Sequence, residues 1–238
     1  APTAGNALSG TWASAFGEQI DIVVSNNDGM GMSMYSNWAK ENKVPVFGYD
    51  ANSDAVAALG DTDFPYGGTI SQNPAVQAYL TLRLLRNSLD GVDVNTGVGK
   101  ADDAGNVIAE DDFKYSEEDR SFYAMNLEVT ADNYKDFTDP ANTLYETAQA
   151  QLDEGDSAKK KVWLSIYNSA DNFLGSTYKP LLEKYAPLLN LDLEVVQGDG
   201  QNESSITNKL GNPADFDAFA INMVKTDNGA SYTSILGQ

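Results

Sequence analysis

Three short apolar runs in this chain each end in a polar cluster. Asp21-Ile22-Val23-Val24-Ser25 opens into Asn26-Asn27-Asp28; Val44-Pro45-Val46-Phe47-Gly48-Tyr49 ends at Asp50; Val162-Trp163-Leu164-Ser165-Ile166-Tyr167 opens into Asn168-Ser169-Ala170-Asp171-Asn172-Phe173. β-Branched and aromatic runs of this length, followed by a polar cluster and then a helical repeat, predict strand-loop-helix units of a buried parallel sheet. Residues 191–196 alternate as a further strand, 216–224 read as a buried strand, and 122–129 as another. Helical spacing follows Asp28, where Met30, Met34, Tyr35 and Trp38 form a stripe expected to pack on the sheet, with Gly29 and Gly31 allowing close backbone approach. It recurs after Asn73-Pro74, a helix-start signal, with Val76, Leu80, Leu84 and Leu85 marking the buried face of a helix that ends near Asp90-Gly91.

Other segments are shorter or less regular. Residues 4–16 read as a helix with Trp12 and Phe16 one turn apart and in the core. Pro180 predicts a kink or break in the helix after Phe173, or a later start. Residues 133–137 form a short helical turn, 203–210 a helix, and 232–236 the opening of one more. From 92 to 119 the pattern changes to strand-like pieces between acidic turns; residues 102–106 lack the acidic spacing of an EF-hand and read as a hairpin turn. Residues 138–161 read as a connector, with a solvated helix at 144–154.

The strand ends carry the candidate chemistry. In parallel sheets ligands bind beyond the carboxyl ends of the strands, where these Asn and Asp side chains project. An ionised carboxylate accepts two hydrogen bonds at once and can hold two neighbouring hydroxyls, while an Asn both donates and accepts. Phe173 offers a flat apolar face to the C–H side of a pyranose ring. Amides, carboxylates and aromatics, with no basic residue or thiol among them, suit a neutral polyhydroxy ligand. Taken alone, each Asn or Asp reads first as a cap of the following helix; three such clusters at equivalent strand ends turn the reading toward a site.

Composition narrows the classes. A net charge of −20 over 238 residues argues against nucleic acid, which needs clustered Lys and Arg, and against anionic membrane surfaces. No apolar run approaches the roughly 18 residues needed to span a bilayer. Cysteine and histidine are both absent, which removes Ser-His-Asp and Cys-His nucleophile systems and the usual zinc ligand sets.

Residues 22–51, reading IVVSNNDGMGMSMYSNWAKENKVPVFGYDA, resemble the corresponding stretch of the periplasmic glucose/galactose-binding proteins. Residues 162–173 resemble the opening strand and ligand loop of that family, Gly68-Thr69-Ile70-Ser71-Gln72-Asn73 its hinge, and 199–236 its next helix-strand-helix unit. The order is inverted. In the family the part resembling 161–238 comes first and the part resembling 1–137 last, so the resemblance implies a circularly permuted chain or a slice of a tandem fusion.

The resemblance implies an α/β, two-lobed periplasmic-binding-protein type I fold with parallel sheets flanked by helices and permuted topology. One lobe comprises 1–71 and 118–137, the other 72–117 and 161–238, with 138–160 as connector and hinge crossings at Ser71-Gln72 and near Tyr115-Ser116. It assigns hydrogen bonding of sugar hydroxyls to Asn27, Asp50 and Asp171 and a ring-face contact to Phe173. Tyr167 and Gln72 lie near the site, Gln72 standing where the family has Asn. Asp21 matches a position that completes a calcium site, but the loop bearing the other ligands is absent, so neither metal nor cofactor is expected. The implied activity is non-enzymatic capture of glucose or galactose between the lobes for the membrane permease of an ABC importer, outside the cytoplasm, free or lipid-anchored. Strand-helix units of the family that are missing here imply a companion fragment or chain. Two other classes stay open: the effector-binding core of a LacI-type regulator, and a glycoside hydrolase using a carboxylate pair such as Asp50 and Asp171.

Overall fold

The computed structural model describes residues 2–98, 112–138, 145, 158–200 and 202–237. Its helices are α1 (Pro2–Phe16), α2 (Asp28–Met34), α3 (Ser53–Leu59), α4 (Pro74–Asp90), α5 (Lys179–Tyr185), α6 (Ser204–Thr207) and α7 (Gly229–Leu236). Its strands are β1 (Val23–Val24), β2 (Val46–Phe47), β3 (Thr69–Ser71), β4 (Phe113–Ser116), β5 (Ser121–Ala124), β6 (Leu127–Val129), β7 (Lys160–Ile166), β8 (Leu191–Gln197) and β9 (Ala218–Ile221). The chain divides into two compact units, Ala1–Asn73 with Ala124–Pro140, and Pro74–Tyr123 with Ala141–Gln238. It passes from one to the other at Asn73–Pro74 and at Tyr123–Ala124; Tyr115-Ser116 lies within β4.

In the first unit β1 pairs with β2 in parallel, and Phe47 bridges Gly68 in parallel. β3 then pairs antiparallel with β6 through Thr69–Val129, Ile70–Glu128 and Ser71–Leu127. Backbone bonds continue the ladder past the short strands, with Gly48 N donating to Gly68 O at 3.0 Å and Asp50 N to Ile70 O at 2.8 Å. Met34 and Tyr35 of the helical stripe are buried against Val23, Val46, Leu59, Tyr66 and Val129, and Trp38 packs on the edge of that cluster. After Met34 the helix widens into one π-helical turn, Tyr35–Ala39, closed by Lys40 N donating to Tyr35 O at 3.0 Å.

The expected core role of Trp12 and Phe16 is corrected: they are 46% and 53% exposed. Helix α1 rests on α2 through small residues such as buried Gly5 and Ser9, which turns its large side chains outward. Among the described residues β1 is an edge strand, with Val24 77% exposed.

In the second unit β7 is the central strand of a three-stranded parallel sheet ordered β8-β7-β9. Val162, Trp163, Leu164, Ser165 and Ile166 are all buried, as a strand covered on both faces requires. The strand expected at 216–224 is shorter and only half-buried, because β9 forms an edge of this sheet. Residues 172–185 run helical without a break, and Pro180, which has no N–H to donate, follows directly on the π-helical turn Leu174–Tyr178 into which the helix widens. On α4 the buried face is set by Val76, Tyr79, Leu80, Leu82 and Arg86, while Leu84 and Leu85 are half-buried. Tyr79 meets the Tyr185 ring edge-on at 5.7 Å, fixing α4 against α5. The single strand expected at 122–129 is two, β5 and β6, split at Met125-Asn126. The hairpin expected at 102–106 and, apart from Tyr145, the helix expected at 144–154 lie outside the described residues.

Candidate functional site

At the carboxyl end of β2 the backbone turns sharply. Asp50 and Ala51 hold positive φ values of 105° and 51°, a region that L-residues enter at a cost of about 1–3 kcal/mol and keep only when surrounding contacts fix it. Several contacts do so. Asp50 N donates to Ile70 O, Ala51 N donates to Thr69 Oγ1 at 3.2 Å, and Gln72 Nε2 donates to Asp50 Oδ1 at 2.6 Å. Gln72 therefore reaches the expected site by way of Asp50. Helix α3 has its N-cap at Asn52, two residues beyond Asp50.

Asn27 is a helix cap. Its Oδ1 accepts from Met30 N at 2.9 Å, and its Nδ2 donates to Asn26 Oδ1 at 3.2 Å. The loop it belongs to is joined to the Asp50 turn by Asp28 N donating to Tyr49 O at 2.7 Å. Asn27, Asp50 and Gln72 thus share one strand-end rim of the first unit.

Beneath that rim lies a residue the sequence reading passed over. Asp28 has no solvent exposure. One carboxylate oxygen accepts from Asn52 N and Thr69 Oγ1, both at 2.9 Å, and the other from the Tyr66 hydroxyl at 3.4 Å. Burial outweighs these bonds and, together with the neighbouring Asp50 charge, pushes its pKa up from 3.8 to about 6. The buried Tyr66 hydroxyl is pushed up too, by its own desolvation and by Asp28. Room for this pair comes from glycine: a Cβ on Gly48 would lie 2.1 Å from Asp28 Oδ1, and one on Gly31 would lie 2.2 Å from the Tyr66 oxygen. A lone glycine inside an apolar strand run marks such close approach, and Gly48 is the signal in the sequence that points to Asp28.

The second unit carries its own rim after β7. Tyr167 N donates to Asn222 Oδ1 at 3.1 Å, and Asn222 N donates to Ser165 Oγ at 3.0 Å, which ties the ends of β7 and β9 together. Asp171 Oδ1 accepts from Leu174 N at 2.9 Å, so this carboxylate caps the following turn. Phe173 is buried and lies nearly parallel to the Tyr178 ring, 6.2 Å between centroids; part of the apolar ring is already engaged by protein. Asp21 is exposed on the approach to β1, and among the described residues no group of three or more acidic side chains is placed to hold a metal.

Residues 159–229 match the family model of the periplasmic binding protein domain. A curated relative, the xylitol-binding protein of Mycolicibacterium smegmatis, is 36% identical over 87 residues, which make up 36% of this chain. The chain spans 24% of the length of that relative. Together with parallel strands that end in polar loops, these matches support an α/β fold of the periplasmic-binding-protein kind.

Proposed function

We propose that this chain binds a sugar or polyol reversibly, outside the cytoplasm, through ligand hydroxyl groups held by carboxylates and amides at its strand ends, and delivers it to a membrane permease of an ABC importer. The observation that carries this reading is Asp50: a carboxylate in strained backbone at a strand end, held by the Gln72 amide. In the first unit Asn27 adds an amide; in the second, Asp171 offers a carboxylate, Tyr167 a hydroxyl and Phe173 the small part of its ring left exposed beside Tyr178. Charge-assisted hydrogen bonds from hydroxyls to the carboxylates are each worth about 1.5–3 kcal/mol. That suffices for reversible capture without covalent chemistry.

Glucose or galactose is the ligand that the sequence resemblance favours. The similarity to a xylitol-binding protein favours a polyol instead, and it is the one observation that supports a second reading. Calorimetric titration with D-glucose, D-galactose, xylitol and D-arabinitol separates them. Saturable one-to-one heat with at least one of the four is the expected result, weakened at least tenfold by Asp50→Ala. No heat with any of them would remove the proposal. Release of a chromophore from nitrophenyl glycosides would replace it with the hydrolase reading.

A further inference from the structure

Asp28 lies under the strained turn and holds it, yet no ligand can reach it. Its two oxygens take the Asn52 N–H and the Thr69 hydroxyl on one side and the Tyr66 hydroxyl on the other. Thr69 in turn accepts Ala51 N–H. The geometry of residues 50–52 is therefore transmitted from a single buried carboxyl group through Thr69 and one backbone amide.

Charge decides what this arrangement does. The groups facing Asp28 from the packed elements are the Tyr66 phenol, from the loop before β3, and the Asp50 carboxylate, from the turn after β2; Asp54 of α3 acts on Tyr66. None is a cation. An anion at Asp28 is thus desolvated and repelled by Asp50, and opening of the turn would let water relieve both effects. Protonation removes the cost while keeping the contacts: the carbonyl oxygen still accepts from Asn52 and Thr69, and the new O–H can donate to the Tyr66 oxygen.

Resting on the sugar-binding reading of the rim, we infer that Asp28 is a positioning residue whose proton occupancy sets how firmly the Asp50–Asn52 turn is held, so that mild acid tightens the site. Its pKa of about 6, against 3.8, places the transition between pH 5 and 8. The chain has no histidine to give another transition there. Asp28→Asn copies the protonated form, with Oδ1 accepting from Asn52 and Thr69 and Nδ2 donating to Tyr66.

The test reads the turn and the ligand separately in the full chain. Amide hydrogen exchange at Ala51 and Asn52, corrected for intrinsic rates, should be at least fivefold more protected at pH 5 than at pH 8, with a midpoint near 6. Asp28→Asn should show the protected level throughout. Tyr66→Phe, which removes a donor to the anion, should move the midpoint upward, and it serves if the Asn variant fails to fold. Protection independent of pH in the wild type, or greater at pH 8, overturns the inference. In the ligand arm, affinity for D-glucose or xylitol should rise at least threefold from pH 8 to pH 5 in the wild type and stay flat in Asp28→Asn. Flat wild-type affinity alongside a working exchange transition would overturn the link to the site. Failure of both sugars to bind would remove the functional proposal and leave the exchange profile to decide the role of Asp28.

Discussion

At the scale of single residues, the structure separates carboxylates and amides that looked alike in the sequence. Asn27 and Asp171 satisfy helix N–H groups, so alanine at either should cost about 1 kcal/mol of stability in denaturant melts as well as any ligand contact. Asp50 holds the Gln72 amide, so Asp50→Ala should cost about 1–2 kcal/mol in the melt and lower ligand affinity at least tenfold. Unchanged affinity would count against its place in the site. Asp28 gives a second residue-level prediction, with its sign fixed by linkage. Its folded pKa of about 6 exceeds the ordinary 3.8, so the folded state holds the extra proton between those values. The contribution of this group is fully present below 3.8 and is lost as pH rises through about 6, a change of at most about 3 kcal/mol. Asp61, held down to about 2 by Lys40, has the opposite sign: its contribution is present above 3.8 and is lost as pH falls through about 2. Subtracting the stability profile of Asp28→Asn from that of the wild type cancels Asp61 and should leave a curve that falls from pH 4 to pH 7.

At the scale of elements, β7 was legible because a strand covered on both faces has to be apolar along its length, and β8, an edge strand, because its apolar and polar residues alternate; both fall where those patterns placed them. Exposure was less legible. Trp12 has the right spacing for a core position, but periodicity identifies a face and not what covers it. Asp28 escaped notice because a buried carboxylate looks like any helix-start Asp until the three donors around it are seen. The same holds for Glu203, a solvated helix residue by pattern. Its carboxylate accepts from Val224 N at 3.0 Å and also from the Asn228 amide and the Tyr232 hydroxyl, tying α7 to the loop after β9. Tyr232 is buried against Trp163 and Ile206. Glu203→Ala should therefore cost about 2–3 kcal/mol, with amide exchange accelerated mainly in Gly229–Leu236. Uniform acceleration across the unit would argue against so local a role.

At the scale of the whole molecule, a net charge of −20 keeps copies apart wherever it is not screened. The Debye length is about 30 Å at 0.01 M salt and about 3 Å at 1 M, so this repulsion is strong in dilute buffer and nearly absent in concentrated salt. What lies beneath it is β1, where Val24 stands 77% exposed on a strand paired on one side alone among the described residues, with Ile22 just before it 55% exposed. Natural sheets blunt such an edge with lysine, proline or a bulge, and 22–24 contain none of these. Long-range charge repulsion is therefore what opposes pairing at this edge. Sedimentation should show a monomer in dilute buffer and reversible self-association as salt is raised, and Val24→Lys should abolish the association without moving the melting temperature.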